Sequence, residues 1–444
     1  MRLSTIFSAT LLLLTALLAS CNQESDSNSN SYTSSSGDSR RAVIIYMAAQ
    51  NSLGYLEPGY SSASLLDSAE IVRGVSKLSN SQDNVFLFID DDKKPRLYWL
   101  RRQGSGSGMR TLMSKVLTWA DDVSSADPAT LRDVLIYVAQ NCPSLSYGLV
   151  MWSHGNGWLM STNVSSSLDA SRSIVVDVGA KGDMASDTDF NGNMGAQMNI
   201  ADMASAIRLS GLHMDYIFFD ACLMQNIEVA YELREVADYV VGNANSTSAY
   251  GAYYTDLIPN ALLAYPANDE NVAKIANQFY YDAVVNPDLH IYYGEVGNAN
   301  SVIKTAHIEQ LAYATGLYIN KVIADRRSPE MQGVQAYSTS AVFNSPDYHD
   351  MGSAMHHLLS EEDYLTWREV AEQCVIAHNA SKSYSLGMVG ELNLVATLDD
   401  ADHVLGVSMF VPQSIFDNAP YSPYNAQFRR TAWYAAANWA QTGW

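Results

Sequence analysis

Runs of consecutive apolar residues alternate with helix-like segments through the first part of this 444-residue chain. The runs have the composition of strands that are buried on both faces, and they lie at 42–48, 84–89, 147–152, 214–219 and 239–242. Segments with helical spacing lie between them, at 62–78, 128–140, 200–209 and 223–236. Two shorter extended stretches flank QGSGSG at 103–108, which predicts a hairpin loop. This order indicates an α/β fold with a largely parallel sheet that helices cover on both faces.

The pattern changes near residue 290. Helical spacing continues at 306–325, 347–359 and 363–379, and it is followed by strand-like runs at 391–396 and 404–411 and a last helix near 425–440. We therefore predict an α/β domain over 41–290 and a mixed α/β C-terminal domain, 291–444, packed on it. The segment 157–198 interrupts the first domain with many Ser, Gly and Asp residues. A loop of this length in a compact domain is usually functional or disordered.

The first forty residues do not share this pattern. Residues 1–20 carry one basic residue, Arg2, before an apolar run too short to span a bilayer, as is typical of a signal peptide. Cys21 follows small residues and resembles the lipid-bearing cysteine of a bacterial lipobox, although an ordinary secretory signal with an incidental cysteine is the alternative. Residues 21–40 are rich in Ser and Asn and indicate a flexible tether. We expect an exported protein of the bacterial cell envelope, lipid-anchored in the outer membrane and either periplasmic or surface-exposed.

Charge and cysteine content narrow the classes of function. The formal net charge is −21, and it becomes one unit more negative when Arg2 leaves with the signal. Nucleic acid is not an expected partner, because binding phosphates requires basic patches. Beyond Cys21, the chain has Cys142, Cys222 and Cys374, which cannot form a complete disulfide set and lack zinc-like spacing. An unpaired thiol in an exported protein is either buried and inert or in use.

Two predicted strands end in residues that suit nucleophilic catalysis. His154 and Gly155 follow the third strand, and Asp220 and Cys222 follow the fourth. Ligands of parallel sheets bind beyond the carboxyl ends of the strands, so we expect His154 and Cys222 to be neighbours. A thiolate is a nucleophile that an imidazole can stabilise, and the amides of a predicted helix at 223–236 would favour its charge. The alternatives are an inert buried cysteine and a simple His-Gly turn.

The residues around both positions resemble a known family. SHGNGW at 153–158 and FDACLM at 219–224 are similar to the two catalytic motifs of the clostripain-like cysteine peptidases, which have a caspase and gingipain type of fold. AVIIYMAAQNSL at 42–53 and GVSMFVP at 406–412 resemble other segments of that family, and the caspase pattern Gln-Ala-Cys-x-Gly is absent. The resemblance extends over about 41–444. It implies a caspase-like sheet and a cysteine endopeptidase, which the predicted signal peptide would export.

The resemblance also implies roles for individual residues. Cys222 would be the nucleophile, His154 its partner, and the amides of Gly155 and Cys222 the oxyanion hole for peptide hydrolysis through a thioester. Members of the family prefer Arg or Lys before the cleaved bond.

The pocket that would select this basic side chain is less well matched. Asp220 fits one acidic position of the family, although it also fits a cap on the following helix. Asn243 or Asn245 stands where a second carboxylate is expected, which predicts a weaker or different preference.

Two further properties of the family bear on the loop at 157–198. The family is often cut there during self-activation, and Arg172 and Lys181 are the basic residues of this segment, although an uncut surface loop is the alternative. Some members depend on calcium, but the acidic residues here lack the spacing of an EF-hand, so we assign no cofactor and no metal site.

Other histidines are weaker candidates for a metal site. His356 and His357 with Asp350 lack the spacing of a zinc helix, and Cys374 with His378 offers two ligands without further partners. Packing and solvent exposure explain them.

The sequence thus predicts a cysteine endopeptidase that acts as a monomer on protein or peptide substrates. A catalytically inactive relative that binds peptides or proteins is the rival, favoured by the altered pocket and disfavoured by the presence of His154 and Cys222. A third alternative is a hydrolase or transpeptidase that acts on a different amide.

Overall fold

The computed structural model describes residues 39–55, 61–104, 106–159, 174–179, 181–182, 184, 187, 195–289, 297–324, 329–338, 347–389, 392–398, 400–418 and 424–444. The predicted signal peptide, Cys21, most of the tether and Arg172 lie outside the described residues. No helix among the described residues combines the length and the apolar composition that a membrane span requires.

The strands of the described chain are, in order, β1 (Arg41–Ala48), β2 (Asp83–Asp90), β3 (Arg96–Gln103), β4 (Arg110–Thr118), β5 (Tyr147–Trp152), β6 (Ile174–Asp177), β7 (Ala196–Met198), β8 (Met214–Asp220), β9 (Ala237–Asn243), β10 (Ala299–Lys304), β11 (Ala336–Ser338), β12 (Tyr348–Asp350), β13 (Val375–Ala380), β14 (Ser383–Val389), β15 (Leu392–Thr397) and β16 (Ser408–Phe410).

The α-helices are α1 (Ala63–Ser76), α2 (Pro128–Asn141), α3 (Ile200–Ser210), α4 (Ile227–Leu233), α5 (Tyr254–Leu257), α6 (Asp269–Tyr280), α7 (Ile308–Ala324), α8 (Met351–Leu358), α9 (Glu361–Cys374), α10 (Tyr424–Phe428) and α11 (Ala432–Ala436).

A nine-stranded sheet in the order β13-β10-β9-β8-β5-β1-β2-β3-β4 organises the described residues. The strands from β9 to β2 in this order are parallel to their neighbours, whereas β3, β4, β10 and β13 pair in antiparallel fashion. The apolar runs explain this placement, because every residue of β1 and β2 is buried. The predicted, largely parallel sheet is confirmed.

Helices cover both faces of this sheet, as predicted. Ile44 and Tyr46 of β1 belong to a core that includes residues of α2, α3 and α4, whereas Ile45 and Met47 belong to a second core with residues of α1 and α6. Successive side chains of a strand point to opposite faces, so one short strand contributes to both cores.

The sheet continues beyond the predicted domain boundary at residue 290. β10 pairs with β9, with Asn300 opposite Asn243, and β13 pairs with β10 at the sheet edge. Buried residues of α7, α9 and α11 share a core with β1. The later part of the chain therefore extends the sheet and covers one of its faces. The same region also holds the small sheets β11-β12-β16 and β14-β15.

Two helix predictions in this region are wrong. The last helix, expected near 425–440, is interrupted, because α10 ends at Phe428 and α11 begins only at Ala432. The helix expected over 363–379 ends at Cys374, and Val375–Ala380 forms the edge strand β13. Only its first residue is buried, so the alternation that marks a strand is weak at this edge. Cys374 and His378 therefore do not lie on consecutive turns of one helix.

Candidate active site

The carboxyl ends of β5 and β8 lie side by side at one edge of the sheet. Trp152 and Asp220 are register partners in the parallel pairing, so His154 and Cys222 both follow their strand by two residues. The two loops are in close contact, because a Cβ atom at Gly155 would lie 2.7 Å from the carbonyl oxygen of Cys222. The sheet thus brings an imidazole and a thiol to neighbouring strand ends.

The ring of His154 is held by two residues that sequence reasoning missed. Its Nε2 atom lies 2.9 Å from Ser52 Oγ and 3.5 Å from Asp187 Oδ2. Ser52 connects the two, because its amide donates to Asp187 Oδ1 at 2.7 Å and its hydroxyl donates to Oδ2 at 3.1 Å. The His154 side chain remains 20% exposed. The signal for Ser52 was its position in the polar turn after β1, the strand next to β5.

The backbone of His154 is fixed by β6, which bonds to the segments that follow β1 and β5. Val175 donates its N–H to the carbonyl of His154 at 3.1 Å. Val175 has φ 65°, a left-handed conformation that costs a β-branched residue about 1–3 kcal/mol. This strain is offset by complete burial of the Val175 side chain and by the bond from Asn51 Nδ2 to the carbonyl of Val176, 2.8 Å long.

The thiol of Cys222 is more exposed than the other two described thiols. Of the three thiols in the described residues, Cys142 and Cys374 are buried, and Cys222 is partly exposed. Burial raises the pKa of Cys374 to about 12 and also raises that of Cys142. Two thiols are therefore held in the unreactive form, and the third is accessible.

The expected helix amides do not support the Cys222 sulfur. The helix predicted at 223–236 begins only at Ile227, and Leu223 takes a left-handed turn with φ 59°. The donor is Thr247, whose N–H lies 3.3 Å from Sγ. The prediction failed because the residues after Cys222 bond to the backbone that follows β9 instead of forming helical bonds, with Leu223 N donating to the carbonyl of Asn245.

Asp220, two residues before Cys222, is buried and does not cap a helix. Its Oδ2 atom accepts bonds from Ala252 N at 3.0 Å and from Tyr254 Oη at 2.8 Å. Its Oδ1 atom is buried and has no partner among the described residues. Burial raises the pKa of Asp220 to about 6, although both bonds oppose this shift. Gly251, with φ 57°, lets the chain approach, since a Cβ atom there would lie 2.7 Å from Oδ2.

Two acidic residues of α1 enlarge the acidic group around Asp220. Trp152 Nε1 donates to Asp67 Oδ2 at 2.6 Å, and Tyr254 N donates to Glu70 Oε2 at 3.1 Å. Burial raises the pKa of Glu70 to about 8 and that of Asp67 well above its ordinary value, and the charge of Asp220 contributes to both shifts. The sequence carried a signal for them, because Asp67 occupies a buried position of the helical pattern.

Asn243 and Asn245 are both fully buried and hold β9 to the start of β10. Asn243 Oδ1 accepts from Asn298 Nδ2 at 2.7 Å, and Asn245 Oδ1 accepts from Ala299 N at 2.8 Å. These contacts stabilise the sheet, and a role of either amide in binding substrate stays a prediction. Lys181, in the segment between His154 and Cys222, is exposed.

Comparisons with known proteins identify the family and the fold. The sequence model of the clostripain family of peptidases matches residues 45–444. A secreted C11 cysteine protease from Bacteroides thetaiotaomicron, solved with an irreversible peptide inhibitor, superposes with a TM-score of 0.68 at 23% identity, covering 90% of this chain and 99% of that one. An inactive zymogen C11 protease from Parabacteroides distasonis gives 0.68 at 24% identity with the same coverage.

These structural likenesses show the fold, which is caspase-like. No curated protein matches the chain by sequence. The family match extends over nearly the whole chain, from the first strand of the central sheet to the last residue. The chain therefore belongs to the clostripain family and is a cysteine-type peptidase.

Proposed function

We propose that this peptidase is an endopeptidase in which Cys222 is the nucleophile and His154 its acid–base partner. The observation that supports the proposal is the register of β5 and β8, since an accessible thiol and a partly exposed imidazole each follow one of these neighbouring strands by two residues. The thiol passes its proton to His154, and sulfur attacks the scissile carbonyl. The imidazolium then protonates the leaving amine, and water hydrolyses the thioester.

The amides of Gly155 and Cys222 are the proposed donors to the oxyanion. The absence of a side chain at Gly155 supports this role, since the two backbones are too close there for a Cβ atom. Donors that the fold holds in advance stabilise the charge of the tetrahedral intermediate without reorganising.

The proposed preference is for Arg or Lys before the cleaved bond. Asp220 offers a buried oxygen without a partner among the described residues, and Asp67 and Glu70 add two carboxyl groups close by. A guanidinium or ammonium that enters this region would favour the ionised forms of all three. In this proposal, α1 supplies the acidic character that Asn243 and Asn245 lack.

Self-cleavage after Lys181 is part of the proposal. Lys181 is exposed and lies six residues before Asp187, which contacts Ser52 and the ring of His154. A cut after Lys181 would leave Asp187 in contact with Ser52 and His154. It would create a new chain end a few residues before Asp187. Arg172 is the second proposed site.

The proposed setting is the cell envelope, with a lipid anchor at Cys21 and protein or peptide substrates. The related Bacteroides thetaiotaomicron protease is described as secreted. In this proposal the peptidase acts as a monomer.

A panel of thiol-reactive peptide probes tests the proposal. The purified chain is treated with acyloxymethyl ketones that differ only in having Arg, Lys or Leu before the reactive group. We expect labelling by the Arg or Lys probe at least 10-fold faster than by the Leu probe. Equal rates would overturn the basic preference alone. The absence of labelling by all three, in cut and uncut protein, would overturn catalysis and favour the peptide-binding alternative.

A further inference from the structure

Three side chains with metal-binding atoms meet in the later part of the chain, outside the candidate active site. His356 lies in the last turn of α8, and Asp400 and His403 lie in the turn before β16. One nitrogen or oxygen atom from each lies within 4.8 Å of those of the other two. The side chains are 33%, 32% and 27% exposed, respectively, so an ion could enter from solvent.

The imidazoles of His356 and His403 are stacked face to face. Their ring centroids lie 3.5 Å apart, with an angle of 11° between the planes, and Tyr364 packs with its edge against both. His403 Nδ1 is paired with Asp400 Oδ1. Because the lone pair of an imidazole nitrogen lies in the plane of its ring, one of the two rings must turn out of the stack for both to bind the same ion.

The surrounding contacts hold these groups in position. Asp400 Oδ2 accepts a bond from Ser353 Oγ at 2.8 Å, and the carbonyl of His403 accepts one from Arg368 Nη1 at 2.8 Å. The carboxylate of Asp350 caps α8 and also accepts bonds from the amide of Leu405. Partners of this kind orient ligands and reduce the cost of ordering them when an ion binds.

We propose that His356, Asp400 and His403 form a binding site for a divalent transition-metal ion, with Zn²⁺ as the best match. Two imidazoles and one carboxylate suit Zn²⁺, whereas Ca²⁺ and Mg²⁺ prefer oxygen ligands alone. Water can complete the tetrahedron, and so can Glu361, whose Oε2 atom lies 3.5 Å from His356 Nε2. The spacing of His356 and His357 had argued against a metal site, but folding brings in ligands from a distant turn.

The position of the site suggests what the ion does. It would tie α8 to the turn that leads into β16. That strand bonds to the segment after Cys222, with Ser408 N donating to the carbonyl of Gln225 at 2.9 Å and Phe410 N to Glu228 Oε1 at 2.8 Å. The ion would therefore stabilise the packing of α8 and β16 against the segment after Cys222 and would not take part in peptide hydrolysis.

Zinc binding to the full chain tests the proposal. The measurements use a Cys222→Ala background, because an accessible thiol would bind zinc by itself. After treatment with chelator and gel filtration, titration calorimetry with ZnCl2 is expected to give one ion per chain, and Zn²⁺ is expected to raise the melting temperature by several degrees. His356→Ala and His403→Ala should each weaken binding at least 10-fold. His357→Ala is the matched control and should bind as the parent does, since its Nε2 atom bonds to the carbonyl of Glu330.

A second measurement keeps the proposal falsifiable if an alanine variant fails to fold. Co²⁺ in place of Zn²⁺ should give the intense visible absorption of a tetrahedral site in the parent, and His403→Gln should lose it. The proposal is overturned if the parent binds no zinc at micromolar concentration, if His356→Ala/His403→Ala binds it equally well, or if MgCl2 raises the melting temperature as much as ZnCl2.

Discussion

Trp152 and Asp220 are register partners at the carboxyl ends of two neighbouring parallel strands, and the candidate active site is built outward from this pair. His154 and Cys222 each lie two residues beyond this pair, and the indole of Trp152 donates to the buried carboxyl group of Asp67. The pairing of these two strands thus fixes where the loops that carry the thiol and the imidazole begin.

Replacing Asp220 by Asn should remove the preference for basic residues. Asn keeps an oxygen for the bonds from Ala252 and Tyr254 but lacks the charge that pairs with a cation. We expect kcat/KM for an Arg substrate to fall about 30-fold, in line with the 1.5–3 kcal/mol of a charged hydrogen bond. The value for a Leu substrate should change less than threefold, and equal losses for both would contradict the assigned role.

The same carboxyl group predicts a pH dependence. The pKa of Asp220 is raised to about 6 by burial, so the free enzyme loses this charge as the pH falls below about 6. KM for Arg and Lys substrates should therefore rise on acidification in the wild type but not in Asp220→Asn. Steady-state kinetics from pH 5 to 8 in both proteins make the comparison, and identical profiles would exclude Asp220 as the group that binds the cation.

Gly155→Ala should damage catalysis more than folding. The added Cβ atom would lie 2.7 Å from the carbonyl oxygen of Cys222, so the nucleophile or the loop must move. A displacement of this size costs about 100-fold in kcat/KM. Gly108→Ala is the control, because a Cβ atom there meets nothing within 4 Å. The test is to measure kcat/KM and the melting temperature of both variants. Wild-type activity in Gly155→Ala would argue against the proposed oxyanion site.

Lys181→Ala should slow maturation of the chain. If the enzyme cuts itself after this exposed residue, intact-mass spectrometry of wild-type protein will show two fragments over time, and the variant will stay whole or be cut only after Arg172. Cys222→Ala serves as the control and should remain uncut. Fragments of the same masses from Cys222→Ala would identify a contaminating protease instead.

Asp90→Asn should stabilise the protein at high pH. Asp90 is completely buried, and it shares the N–H of Ser125 with Asp177. Burial and the charge of Asp177 raise its pKa to about 8, so between about pH 4 and 8 the folded state holds a proton that the unfolded state has released. This stabilising contribution is present at low pH and is lost as the pH rises through this window.

The expected gain for Asp90→Asn is about 2 kcal/mol at pH 8, with less at pH 5. Urea denaturation at both values measures it, and Asp92→Asn, at an exposed neighbouring position, is the control that should change little. If the free energy of unfolding differs between Asp90→Asn and wild type by the same amount at pH 5 and at pH 8, Asp90 is ionised throughout this range.

The central sheet was predictable because its strands leave a strong local signal. A strand that is buried on both faces must be apolar throughout, as β1 and β2 are, and the alternation with helices then indicates the parallel order. The edge strand β13 carried no such signal, because its residues are mostly only half-buried. The extension of the sheet by β10 and β13 depends on long-range pairing, which local periodicity does not report.

The candidate site was predictable where it follows from strand ends and hidden where it depends on loops. His154 and Cys222 are found by one rule about parallel sheets. The contacts of Ser52 and Asp187 with the imidazole, and of Thr247 with the thiol, join residues that are distant in sequence. The late start of α4 was missed because bonds to the neighbouring strand compete with helical bonds after Cys222, and a propensity argument does not include that competition.

Locating the covalent adduct of the best probe tests the central claim most directly. After labelling, the wild-type chain is weighed intact, digested, and the modified peptide is sequenced by mass spectrometry; His154→Ala and Cys222→Ala are treated in parallel. The account predicts one adduct per chain, on Cys222, formed at least 100-fold more slowly in His154→Ala and absent from Cys222→Ala. An adduct on Cys142 or Cys374, or undiminished labelling of Cys222→Ala, would contradict it.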